Sequence, residues 1–212
     1  MSILNLIFVI IAGYVLGSIP SAVWASKISR GIDIRKYGSG NAGATNVIRV
    51  LGWKTGIPVL IIDIAKGWLA ASLPVFFQFA ANGSNALITM QILGGIAAIA
   101  GHLFPVFAGF KGGKGVGTTI GILLALNPLL TLSCLVIFMA VLLITGYVSL
   151  SSISFGIVFP ILLFTVFKIP SIVFKIFSIF IAVMIIFTHR KNIQRLLKGE
   201  ESRFIKKKTA NK

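Results

Sequence analysis

GHLFPVFAGFKGGKG, residues 101–115, followed by VGTTIGILLAL, residues 116–126, is the stretch that decides the fold. On either side the chain runs as long apolar segments. Here Pro105, Lys111, Lys114 and a set of glycines interrupt that pattern, as turn residues do. The apolar segment that follows is stopped early by Asn127-Pro128, since proline cannot continue a helix. A bilayer core of ~30 Å asks for about 20 apolar residues at ~1.5 Å rise each. Val116–Leu126 is short for that, and whether it counts as a span sets the total at seven or six.

Upstream, Ile3–Ala25 is long enough to cross. Pro20 near its end predicts a kink, and Gly13 and Gly17 form a small-xxx-small face suited to close helix packing. The polar stretch Ser26–Lys54 follows, then spans from about Gly56 to Phe79 and from about Ala86 to Gly101. Downstream come Leu129–Thr145, Ser152–Phe167, Ile172–Phe187 and a basic tail. The chain is 57% hydrophobic and 11% charged, with mean hydropathy +1.00, where soluble domains carry ~25% charged residues. Residues 1–212 therefore read as one all-α integral membrane domain of about seven transmembrane helices. No Lys or Arg precedes Lys27, so the N-terminus reads as a retained first span rather than a signal peptide.

Lys and Arg number 20 against 4 Asp and Glu, a formal charge of +16. Seventeen of the basic residues sit in three segments: Lys27, Arg30, Arg35, Lys36, Arg49 and Lys54; then Lys111 and Lys114; then Arg190, Lys191, Arg195, Lys198, Arg203, Lys206, Lys207, Lys208 and Lys212. The turns around Asn82–Asn85 and Asn127 carry none. Seven spans with the N-terminus outside put all three basic segments and the C-terminus in the cytoplasm, as the positive-inside rule requires. Lys168 falls on the wrong side of that arrangement. The basic residues build no separate domain, which speaks against nucleic acid as a partner. Attraction to anionic lipid and binding of anionic substrates remain. Cys134 lies alone in an apolar run, so it offers neither a disulfide nor a thiol site.

RKYGSGNAGATNVIR, residues 35–49, has the make-up of an anion cradle. Gly38 and Gly40 let backbone N–H groups turn inward as a nest, with Ser39 as a further donor. A helix beginning near Asn41 would place Asn41, Thr45 and Arg49 on one face. A flexible connector is the plain alternative. FKGGKGVGT, residues 110–118, fails as a P-loop: Gly109 to Gly113-Lys114 is one residue too short, and Gly115 stands where Ser or Thr belongs. What remains is a turn with Gly112 and Gly113 presenting Lys114 and backbone N–H groups at a helix start that favours an anion. A basic topology anchor is the plain alternative there.

His102 and His189 are the two histidines, each at the end of an expected span. His102 reads as a cap or packing residue. His189 and Asn192, at i and i+3, can face one ligand. Asp63 and Lys66, also i and i+3, read as a pair that neutralises itself inside a span, where a lone charge costs ~2.5–3.5 kcal/mol; Lys66 has the reach to face the site. No cluster of carboxylates, histidines or cysteines has the make-up of a Mg²⁺ or Zn²⁺ site, so neither metal nor cofactor is expected. Neither histidine is followed by an Asp at the His-Asp spacing of acyltransferases, and no Ser-His-Asp set is evident.

Together GSGNAGATN with Arg49, GHLFPVFAGFKGGKG, and HRKNIQRLLKGEE (residues 189–201) resemble the signature segments of the bacterial acyl-phosphate-dependent glycerol-3-phosphate acyltransferases. The resemblance covers nearly the whole chain. It implies transfer of a fatty acyl group from acyl phosphate to the 1-hydroxyl of glycerol 3-phosphate, giving lysophosphatidic acid and phosphate at the cytoplasmic face of a bacterial cell membrane. It implies Ser39, Arg49, Lys114, His189 and Asn192 around the reacting phosphates, with Asn41, Thr45, Asn46 and the glycines Gly38, Gly40, Gly112 and Gly113 shaping the cradles. The bilayer is then a partner, and the soluble enzyme that makes acyl phosphate is one by pathway, though no residue shows it. A transporter of an organic phosphate is the rival. It would place its site near the midplane between inverted repeats and broken helices, whereas here the polar residues gather on one expected face and no internal repeat is found.

Overall fold

The computed structural model describes residues 2–205. Lys206, Lys207, Lys208 and Lys212 of the basic tail lie outside the described residues. Ten α-helices follow one another among those described: α1 (Ile3–Gly17), α2 (Ser21–Arg30), α3 (Ala44–Leu51), α4 (Trp53–Phe76), α5 (Asn85–Leu103), α6 (Val116–Leu126), α7 (Pro128–Thr145), α8 (Val148–Thr165), α9 (Ile172–Thr188) and α10 (Arg190–Leu197).

Among the described residues, five stretches are long and apolar enough to cross a membrane: Ile3–Arg30, Trp53–Phe76, Asn85–Ala108, Pro128–Thr145 and Val148–Thr165. The pair α9 and α10, bent by 59° at its break, makes a sixth when taken as one span. The seven apolar segments expected from sequence are all helices. One of them, α6, has 11 residues, a rise of ~17 Å against a core of ~30 Å. The expected first span is a broken one: α1 stops at Gly17, α2 starts at Ser21, and Pro20, without an N–H, sits in the break. Helix continues to Arg30 inside what read as a polar loop. Lys175, a further basic residue, lies within α9.

The described chain divides into two compact units: the chain up to Pro128 with Ser171–Phe177, and Leu129–Pro170 with the residues from Ser178 onward. In the first unit α1 packs on α5, and α4 on α5 and α6. Lipid tails supply no hydrophobic drive between helices, so close backbone approach through small residues takes its place. Gly13 meets the backbone of Gly94, Gly17 that of Ala98, Gly67 that of Thr118 and Gly121 the carbonyl of Ile64; a Cβ at any of them would collide. The expected small-residue face of α1 is thus the α1–α5 seam. A second small core of Ala22, Val23, Ile34, Ala42, Ala44, Val47 and Val59 lies beneath the first glycine loop.

In the second unit Phe155, Phe159 and Leu163 of α8 and Ile181 and Ile185 of α9 are fully buried, and Gly156 lets α8 approach Ile185. Beyond α10 the chain returns to the α7–α8 turn. Phe204 N–H donates to Gly146 O at 2.7 Å, and the Arg203 guanidinium lies 5.5 Å from the Tyr147 ring centroid.

Candidate active site

The first glycine loop is shaped by one buried side chain. Asn46, on α3, accepts the Ser39 N–H at its Oδ1 (2.8 Å) and donates from Nδ2 to Tyr37 O (3.0 Å), Asn41 O (3.1 Å) and Ile34 O (3.3 Å). Gly38 and Gly40 take φ of +60° and +73°, conformations that a Cβ disfavours. A side chain at Gly38 would also strike Asn46. Two expectations change here. α3 begins at Ala44, with Gly43 as its N-cap, so Asn41 lies before the helix and only Thr45 and Arg49 keep the shared face. The inward nest is also partly closed, because Ser39 N–H is held by Asn46 and Gly40 N–H by Tyr37 O at 3.0 Å. Ser39 itself is exposed, as is Arg49.

The second loop is organised mainly by backbone. Gly112 N–H donates to Leu103 O (3.1 Å) and Gly113 N–H to His102 O (3.2 Å), so both N–H groups bond within the protein. What the two glycines supply is close approach: a Cβ at Gly112 would strike His102 O, and one at Gly113 would strike His102 Nε2. Lys114 follows directly, ahead of the α6 N-terminus, whose first-turn N–H groups have no intrahelical acceptor. Phe104, Phe107 and Phe110 of this loop and Trp24 of α2 are exposed, a make-up suited to the lipid head-group layer.

Arg35 joins the two loops. Its Nε and Nη2 grip Asp33 (2.9 and 2.7 Å), while Nη1 donates to Ala108 O (2.7 Å) and Lys111 O (3.2 Å). The hydrogen bonds from the Arg35 side chain hold the Asp33 carboxyl down at about 2, against the smaller opposing effect of burial. Sequence reasoning counted Arg35 only as one basic residue among many. The local signal was the Asp two positions before it, which marks an Asx-type turn; its targets lie more than 70 residues away and carry no local signal.

A recess opens between the loops, lined among others by Ser21, Lys66, His102, Lys111, Gly112 and Gly113. Beneath it lies a polar cluster from four helices. Asp63 Oδ1 accepts from Ser21 Oγ (2.7 Å) and pairs with Lys66 Nζ (2.9 Å), and His102 Nδ1 lies 3.6 Å away. Lys66 Nζ also donates to Ile19 O (2.9 Å) at the break between α1 and α2, and His102 Nδ1 is 3.2 Å from Thr118 Oγ1. The Asp63–Lys66 pair is as expected, and Lys66 does reach the recess. No Ser-His-Asp set is evident from spacing, but the fold brings Asp63 to both Ser21 and His102 from other helices.

In the second unit His189 and Asn192 are both buried. The His189 ring donates from Nδ1 to Ile185 O at 2.8 Å, which fixes its orientation. Asn192 Nδ2 donates to Glu201 Oε1 at 2.6 Å, Ser149 Oγ to the same oxygen at 2.9 Å, and Arg195 Nε to Oε2 at 2.7 Å. Burial pushes the Glu201 carboxyl up, but the hydrogen bonds from Arg195, Asn192 and Ser149 together outweigh it and leave it below the usual range. In sequence Glu201 is only an acid in a basic tail. Asn192 is therefore held by a carboxylate as well as sharing a turn with His189.

Comparison with known proteins decides among the readings. The family model described as glycerol-3-phosphate acyltransferase matches residues 7–199. The glycerol-3-phosphate acyltransferase of Salinibacter ruber is 42% identical, covering 93% of this chain and 92% of its own. That of Chlorobaculum tepidum is also 42% identical, over 94% and 97%. The fold is similar to the crystal structure of PlsY (YgiH), an integral membrane glycerol 3-phosphate acyltransferase, in its glycerol 3-phosphate form: TM-score 0.82, 38% identity, 94% of this chain and 96% of that one. The lysophosphatidic acid form gives TM-score 0.79 at 37% identity, over 93% and 94%. A broken first span beside the recess is a feature that transporters use as well, and the family match outweighs it. This chain belongs to the glycerol-3-phosphate acyltransferase family and is a multi-pass membrane acyltransferase.

Proposed function

We propose that residues 1–212 act as one membrane-embedded domain that passes a fatty acyl group from acyl phosphate to the 1-hydroxyl of glycerol 3-phosphate, releasing lysophosphatidic acid and inorganic phosphate. The observation that carries this reading is the second glycine loop, which puts Lys114 just ahead of the α6 N-terminus and Lys111 beside a small recess. A cation beside a helix start suits a phosphorylated donor. The exposed aromatic residues of the second loop give the acyl chain an apolar exit toward lipid. Names of the relatives and of the two ligand forms of PlsY support the acceptor and product. The basic segments favour the cytoplasmic face of a bacterial cell membrane, where a soluble enzyme supplying acyl phosphate has access.

Acyl phosphate is a mixed anhydride with a good leaving group, so neither an acyl-enzyme nor a metal is required. The acceptor oxygen attacks the acyl carbonyl, the bond to the phosphate oxygen breaks, and phosphate leaves with the electron pair. A phosphate oxygen of the donor takes the hydroxyl proton. Lys114 and the N–H groups at the start of α6 stabilise the charge that develops on the carbonyl and the departing phosphate. Ser39 and Arg49 are assigned to the reacting phosphates, and Thr45 to the shape of the first cradle. His189 and Asn192, held in fixed orientations, are assigned to the phosphate of the acceptor rather than to base catalysis. Loss of a pH–rate limb near ~6–7 in His189→Gln would reassign the proton to that histidine.

The test is phosphate release by the purified protein with palmitoyl phosphate and glycerol 3-phosphate, compared with palmitoyl-CoA, with chelator present and Lys114→Ala as control. The expected result is release that needs both phosphate substrates, ignores chelator and is lost in the variant. Turnover with acyl-CoA alone would overturn the donor.

A further inference from the structure

We propose that His102 is a positioning residue for Lys114, acting through its Nδ1 side. The inference rests on the reading of Lys114 given above. His102 is 6% exposed at the end of α5 and touches the Lys114 turn on both sides. Before Lys114, its carbonyl accepts the Gly113 N–H and its ring lies against Gly113 closely enough that only a glycine fits. After Lys114, its Nδ1 meets Thr118 Oγ1 in the first turn of α6 at 3.2 Å. Two fixed points five residues apart leave the backbone at Lys114 little freedom.

The ring is itself anchored. Asp63 Oδ1 lies 3.6 Å from Nδ1, longer than a good hydrogen bond but close enough for the carboxylate to favour the proton on Nδ1. That oxygen is held by Ser21 from α2 and by Lys66 from α4, and Lys66 is tied in turn to Ile19 O at the helix break. The chain of support thus runs from the break in the first span, through Lys66, Asp63 and His102, to the turn that presents Lys114. A displacement of about 1 Å at a catalytic group can cost ~10²-fold in rate, so this support bears on turnover through the placement of Lys114.

The experiment uses the full chain in detergent or nanodiscs and compares His102→Asn, His102→Gln and His102→Ala. The amide nitrogen of Asn overlays Nδ1 and that of Gln overlays Nε2. On this proposal Asn keeps kcat/KM within ~3-fold of wild type, while Gln and Ala lose ~10–100-fold, the scale of a misplaced catalytic group. The same three changes are made in Lys114→Arg, which keeps a cation; there they cost no more than ~2-fold further, as residues acting as one unit are non-additive. Rescue by Gln instead of Asn would assign the role to Nε2 and overturn the proposal, as would losses that add in full to that of Lys114→Arg. Where His102→Ala fails to fold, the Asn–Gln contrast decides alone. Absence of wild-type turnover with acyl phosphate would overturn the donor reading instead, and the same set would then be measured with the donor that does turn over.

Discussion

The two glycine loops reach fixed shapes by different means. The first has one main side-chain organiser beside the Gly40–Tyr37 backbone bond: Asn46, 1% exposed, makes four hydrogen bonds to the loop it supports. The second is held at several points, by its own backbone bonds to Leu103 and His102, by Arg35 at Ala108 and Lys111, and by the His102 ring. A loop with one organiser fails as a whole, whereas a loop with several supports fails by degrees. The first loop should therefore be brittle to a near-isosteric change, and the second should not.

Asn46→Asp tests the brittle side and carries the largest expected effect. Aspartate still accepts from Ser39 but turns an acceptor toward three carbonyls that now receive a donor. With each unsatisfied buried group costing ~1–3 kcal/mol, unfolding in detergent should show a loss of a few kcal/mol, and kcat/KM should fall on the order of 10²-fold. Activity within threefold of wild type would mean that other groups hold the loop.

Arg35→Lys tests the graded side. The guanidinium serves Asp33 and two carbonyls at once, a geometry that an ammonium cannot reproduce. The expected loss is ~10-fold in kcat/KM with little change in thermal stability, because the remaining supports persist. A loss as large as that of Asn46→Asp would make the second loop equally brittle and remove the contrast.

How much of this was legible beforehand follows from the range of each interaction. The apolar segments were, because length and hydropathy are local: the segment Val116–Leu126 and the breaks at Pro20 and Asn127-Pro128 fall where the residues put them. The α1–α5 seam was legible from Gly13 and Gly17. The start of α3 was misplaced by three residues, since Asn41 looks like a helix cap but its carbonyl is spent on Asn46. The N–H groups of Ser39, Gly40, Gly112 and Gly113 looked like donors for an anion, and only the fold shows that they bond within the protein. Asp63 and His102 are 39 positions apart on two helices and no spacing rule joins them. The charge pattern points to seven spans, yet among the described residues length qualifies at most six.

The second unit repeats the one-organiser arrangement with a carboxylate, and so sharpens the comparison. Glu201 gathers Ser149, Asn192 and Arg195. Glu201→Gln keeps an acceptor for Asn192 and Ser149 but puts an amide N–H where Arg195 Nε found its acceptor, a loss that Arg195, 37% exposed, makes good with water. An effect of ~3-fold on KM for glycerol 3-phosphate is expected, with kcat retained. Glu201→Ala, which frees Asn192 as well, should exceed it several-fold. Equal losses in the two variants would show that the charge, not the placement of Asn192, matters.

The smallest expected effect concerns pH. Asp33 has its carboxyl held at about 2 by Arg35, against an ordinary value of 3.8. A carboxyl depressed in the folded state contributes stability above its unfolded value, and that contribution is lost only as pH falls through the folded one. The brace between the loops is therefore fully charged over about pH 5–9, and the Asp33–Arg35 pair should add no limb to the pH–rate profile there. The ratio of wild-type to Asp33→Asn activity should accordingly stay flat across that range, although Asp33→Asn itself lowers activity modestly by loosening Arg35. A ratio that shrank toward wild-type values of one as pH dropped from about 6 to 5 would mean that Asp33 takes up its proton far above 2. The brace would then open under mild acid, and the second loop would depend on a single titrating contact after all.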